Sequence, residues 1–183
     1  MNLKGFSLLE TVIYIGLLSI LLSSTVVFSL GLLQKVDVID TRVRLDEKAA
    51  LIFSELSSEI TRAQSINVTG STFGVDGSSL VFVDASGVSV TIDRASDSVD
   101  FPAGAQTVNR LRIQRGVIAD WITDGDMSVE SWKVEVVRNS VSTLTGLNIR
   151  LNLEFLNNEG SPHRQADFDA STTVSLNGQT SEL

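Results

Sequence analysis

Cysteine is absent from the 183 residues, and histidine occurs once. Disulfide staples, zinc–thiolate sites and a cysteine nucleophile are therefore excluded, though the lack of disulfides does not fix the compartment. Proline occurs twice, against 13 glycines, so a collagenous or proline-rich chain is ruled out, and 43% apolar residues exclude global disorder. Positive charge is scarce, with 14 Lys and Arg against 22 Asp and Glu and a net charge of −8. That balance argues against non-specific binding to nucleic acid. Charge of either sign is almost missing from the start of the chain, where only Lys4 and Glu10 precede Lys35.

The uncharged run Thr11 to Gln34 is dominated by Val, Ile, Leu and Phe. At about 1.5 Å per helical residue it reaches roughly 36 Å, enough for a hydrocarbon core of about 30 Å. It reads as a membrane span, with Lys4 favouring a cytoplasmic N-terminus. A secretory signal peptide fits less well. Its apolar region is shorter, an A-x-A site is missing, and Ser23-Ser24-Thr25 is a poor substitute. An acid at Glu10 is costly in a bilayer, on the order of 2.5–3.5 kcal/mol for comparable charges at mid-span, and so demands a partner. A cut between Gly5 and Phe6 would supply one. The freed α-amine of Phe6 would be mostly cationic at neutral pH, four positions from Glu10 and on the same helix face.

The segment Lys4-Gly5-Phe6-Ser7-Leu8-Leu9-Glu10, followed by Thr11-Val12-Ile13-Tyr14-Ile15-Gly16, resembles the processing and methylation motif of type IV pilins and pseudopilins. The resemblance covers about the first 30 residues. It implies cleavage by a prepilin peptidase after Gly5, N-methylation of Phe6, and a carboxylate at Glu10 that guides docking into a filament. It also implies other pilin or pseudopilin subunits and an inner-membrane assembly platform as partners, besides the lipid bilayer, and a long N-terminal helix laid on an antiparallel sheet. Two departures point away from a major subunit: Val27 stands where many pilins have a proline, and there is no C-terminal cysteine pair. The segment Phe168 to Leu176 is similar to the ends of J-type pseudopilins and their pilus counterparts.

The rest of the chain has its own periodicity. Leu45, Ala49, Ile52, Leu56, Ile60 and Ala63 recur at helical spacing. With no proline from Phe6 to about Gln64, one helix is expected, bending if anywhere at Gly16 or Gly31. From Ile66 the period becomes two. Leu80 and Phe82, then Val88, Val90 and Ile92, flank a turn at Ala85-Ser86-Gly87. Leu111 and Ile113, Trp132 to Val136, Leu147 to Phe155, and Thr172 to Leu176 follow as further strands, with polar loops at Asn139–Gly146 and Asn157–Ala166. The expected fold class is α+β. It comprises a leader at 1–5, an apolar half-helix at 6–34, an amphipathic half at 35–64, and an extracytoplasmic antiparallel sheet domain at 65–183, wet on one face.

Chemistry-bearing constellations are few. His163 lies in a polar loop with no G-x-S-x-G motif in the chain, so it reads as a surface residue. Asp124-Gly125-Asp126 could give two oxygens to Ca²⁺ but lacks the remaining ligands and reads as an acidic turn. Arg110, Arg112 and Arg115 form the densest basic cluster, yet stacking aromatics for DNA are missing beside it. Trp121 and Trp132 are expected in the core rather than on a glycan-binding face, and Asn67-Val68-Thr69 matches a glycosylation acceptor. No catalytic or metal-ligating set can be assembled, so neither an enzyme nor a cofactor is expected. The sequence reads as a minor pilin or pseudopilin of a type IV pilus or a type II-secretion-like system. The alternatives are a membrane-anchored binding domain that never polymerises and an exported protein cut near Ser24.

Overall fold

The computed structural model describes residues 8–102, 104–139, 144–156 and 167–176. A single helix, α1 (Leu8–Arg62), spans 55 residues. No proline interrupts it, and Arg62 in its last turn complements the negative end of the helix dipole. Gly16 and Gly31 both lie inside it, with open space where their side chains would be. Its two halves differ in environment. From Leu8 to Leu32 the helix is long and apolar enough to cross a membrane, and none of it is buried in the protein. Beyond Thr41 it is amphipathic, and Leu45, Ala49, Ile52, Leu56 and Ile60 are buried to 4% exposure or less. Each large aliphatic side chain on that stripe contributes about 1.5–3 kcal/mol by leaving water.

The strands form two antiparallel sheets. The first runs in chain order through β1 (Ser65–Ile66), β2 (Leu80–Val83), β3 (Ser89–Phe101), β4 (Gly104–Arg115) and β5 (Ile118–Trp121). The second comprises β6 (Met127–Arg138), β7 (Leu144–Phe155) and β8 (Asp167–Ser175). Inward side chains of both sheets and the buried stripe of α1 make one core, in which Phe82, Ile92 and Leu111 meet Trp132, Leu147 and Leu151. The class is α+β, as expected, but the single sheet of the sequence reading is two.

What separates them is a strap at residues 72–79 along the outer edge of β6. Gly74 N–H donates to Val134 O at 2.8 Å and Gly77 N–H to Trp132 O at 2.9 Å. Val134 N–H donates to Ser78 Oγ at 3.1 Å and Trp132 N–H to an oxygen of Asp76 at 3.0 Å. These bonds satisfy the edge groups that a neighbouring strand would otherwise take up. Arg94 of β3 then ties the sheets together, donating to Glu130 O and to Asp76, the latter at 2.9 Å.

Local details follow the residues. The β2–β3 turn closes through Asp84, whose side chain accepts from Ser86 and Val88 N–H, with Gly87 at φ 80°. Val88, expected on the inner face, belongs to this turn and is 40% exposed. The expected loop Asn139–Gly146 ends early, because a register shift beside Arg138 lets β7 start at Leu144, which is buried. At Gly146 an added Cβ would sit 2.8 Å from Val174 O, so only glycine allows β8 to pair so closely. The expected loop Asn157–Ala166 lies outside the described residues.

Candidate functional site

Two regions carry unusual chemistry: the exposed apolar half-helix, and the junction where α1 meets the turn between β5 and β6. In the first, Glu10 lies in the opening turn of α1, exposed among Leu8, Leu9, Val12 and Ile13, which are 53–84% exposed. A carboxylate near a helix N-terminus is favoured by the dipole. Further along, Ser19, Ser23 and Thr25 donate their hydroxyls to carbonyls four residues back, at 2.8 Å each, and Ser24 to Leu21 O at 3.0 Å. Each of these four hydroxyls is thus satisfied within its own helix, as hydrocarbon surroundings require. Lys4, Gly5 and Phe6, with the cleavage and methylation expectations attached to them, lie outside the described residues, as does His163.

At the junction, the acidic turn has a partner that periodicity alone does not reveal. The Lys48 ammonium reaches Asp124 at 2.9 Å and Asp126 at 2.7 Å. Burial alone would lower the Lys48 pKa, but the bonds to Asp126 and Asp124 outweigh it and raise the value. The candidate calcium turn is therefore a seat for a lysine that pins the helix to the sheets. Beside it opens a cleft of about 200 Å³, lined by Leu51, Ile52, Ile122 and Met127 together with Lys48, Glu55 and Asp124. Among the described residues no set of three or more His, Asp or Glu side chains is placed to hold a metal ion.

The basic cluster is already matched by carboxylates. Arg110 pairs with Asp97 and also donates to Thr123 O. Arg112 bonds Asp93 with two nitrogens, a hydrogen-bonded pair that raises its pKa. Arg115 reaches Glu59 of α1 at 2.8 Å. The arginines that could have offered cations to phosphate are each engaged in an ion pair. The tryptophans separate: Trp132 is fully buried, as expected, whereas Trp121 is 37% exposed on the edge strand β5 under the Arg110 guanidinium, 4.7 Å from its ring. That corrects the core placement of Trp121. Asn67 is half-buried and accepts from Gly70 N–H at 2.8 Å and Thr69 Oγ at 3.0 Å, shaping the turn after β1. Compared with family models, with curated proteins and with solved structures, the chain finds no match in any of the three.

Proposed function

We propose that the protein is a minor pilin or pseudopilin, a structural subunit that a prepilin peptidase processes and that then joins a type IV pilus or a type II-secretion-like pseudopilus. The observation that carries this reading is Glu10, an ionisable group at the start of an otherwise charge-free span that is continuous with a domain-bearing helix. A simple anchor gains nothing from that acid, whereas a subunit beginning at Phe6 would pair it with an α-amine at the same depth. The apolar half-helix would hold the subunit in the inner membrane and then pack among other subunits. The sheet domain would stand outside the cytoplasm, where it could prime or cap the filament or present a binding face.

The test is the mass and N-terminal sequence of the mature protein purified from its own host. A chain starting at methylated Phe6 is expected, and Glu10→Ala should abolish incorporation into filaments without blocking membrane insertion. An intact Met1 would instead indicate a non-polymerising anchor, and a start near Thr25 a secreted protein.

A further inference from the structure

The edges of the two sheets are treated unequally. In the second sheet the strap at residues 72–79 satisfies β6, and β8 carries Asp167 and Asp169, charges that discourage an added strand. In the first sheet β1 is only two residues long. The remaining edge, β5, reads Ile118-Ala119-Asp120-Trp121, with no Lys or Pro and every residue exposed. Among the described residues no strand lies on its outer side.

The register fixes which groups that edge offers. Ile122 N–H donates to Leu111 O at 2.9 Å across the β4–β5 pair. Paired groups alternate along an antiparallel ladder, so Ile118 and Asp120 also turn their backbone groups to β4. Ala119 and Trp121 turn theirs to the free edge. The side chains sort the same way. Asp120 stands opposite buried Ile113, and Ile118 opposite Arg115, which reaches Glu59 of α1. Ile118, Asp120 and Ile122 therefore share the face turned to the helix, while Trp121 lies on the other with Arg110. Ile122 also lines the cleft of about 200 Å³ beside Lys48, so edge and cleft form one groove. Its apolar parts are uncovered, with Leu51 at 70% and Ile118 at 67% exposure. Its carboxylates, from Glu55, Asp120, Asp124 and Asp126, stand against the single ammonium of Lys48.

We infer that β5 receives an extended segment of another protein, added to the first sheet as a further strand whose inward side chains alternate between apolar and cationic. An added strand lies about 4.8 Å beyond β5. The N–H and C=O groups of Ala119 and Trp121 hold its backbone, as in other cases of strand addition. Leu51, Ile118 and Ile122 cover its apolar side chains, and Glu55 and Asp120 take its Lys or Arg. A second copy of this chain is the wrong occupant. Its one long free edge, β8, would bring Asp167 and Asp169 to a site already rich in carboxylate. Edge and cleft both belong to the folded domain, so the inference does not rest on the filament reading.

The probe is the end-capped peptide Thr-Val-Thr-Lys-Thr-Val-Thr, which sends valine and lysine to one face of a strand. It is labelled with a fluorophore and titrated into the full-length protein in detergent micelles. Anisotropy reads binding, and slowed amide exchange at Ala119 and Trp121 reads its place. The peptide is expected to bind, and Ala119→Pro to abolish binding. Ala119 N–H points away from β4, so proline there removes no bond of the fold. An unchanged near-ultraviolet signal from buried Trp132 checks that. Glu55→Lys should weaken binding about fivefold, as for a partly exposed charge pair. Failure of the peptide to bind would overturn the inference. So would binding that survives Ala119→Pro, which is only the general pull of an acidic protein on a cation. Sedimentation of the protein alone gives the last outcome: self-association that Ala119→Pro removes would make the occupant a second copy and overturn it as well.

Discussion

The two halves of α1 are built from the same backbone and opposite side-chain logic. Up to Leu32 the helix is apolar on every side and touches none of the protein's core, whereas past Thr41 it is apolar on one stripe and that stripe is sealed against two sheets. An all-round apolar surface needs a solvent that is itself apolar, and a stripe needs only one packed face. The difference shows that helix length is set by the absence of breakers. What each half does is set by how far its apolar surface wraps around.

Breaking that difference at the stripe should have the largest effect. Leu56 is fully buried, so Leu56→Ala should cost about 2–5 kcal/mol of domain stability. The same change at Leu21, 64% exposed, should leave the domain's denaturation midpoint in place. Denaturant titration of the full chain in detergent, followed by the near-ultraviolet signal of buried Trp132, reads both. Breaking it at the span is next. Leu21→Arg should oppose membrane insertion by about 2.5–3.5 kcal/mol, visible as a lower membrane-bound fraction, while the domain's own signal is unchanged.

Smaller effects sharpen the boundary. Lys48→Met removes the cation between Asp124 and Asp126. Because these groups are partly solvated, it should cost no more than about 1 kcal/mol, a difference that shrinks as salt is raised. Last comes Asp76, at the strap between the sheets. Burial alone would raise its pKa, but Trp132 N–H, the Ser131 hydroxyl and the Arg94 guanidinium outweigh that and hold it below the usual aspartate value. A carboxyl depressed on folding contributes stability above its unfolded pKa and loses it as pH falls through the folded one. Wild type should therefore lose stability more steeply than Asp76→Asn below about pH 4, with denaturation midpoints across an acid series as the readout.

How much of this was legible beforehand varied with burial. The stripe from Leu45 to Ala63 and the alternation through β7 were readable because one face of each is dry. The distal part of the β3–β4 hairpin was not. Ser96, Ser98 and Asp100 face water, and the opposite face is only half-buried and carries the charged Asp97, so no run of alternating apolar residues marks the arm. The short β5, exposed throughout, was missed for the same reason. Alternation also says which face a residue occupies and not which strand lies beside it. The division into two sheets and the strap on β6 therefore left no trace in the pattern. Nor did the meeting of Lys48 with a turn 78 residues away. At the N-terminus the balance is reversed: the expectations at Gly5 and Phe6 come from sequence alone.

The uninterrupted helix also has a mechanical consequence. With no break between Leu8 and Arg62, any pull on the span travels straight along the rod into the domain. There the load falls on the Leu45–Ile60 stripe and on the Lys48 and Glu59 clamps, which are spaced along the length of the rod. Such contacts are sheared together instead of being peeled one at a time. A chain dragged lengthwise by its tail would thus keep its domain folded on the rod, with no disulfide to reinforce the contact.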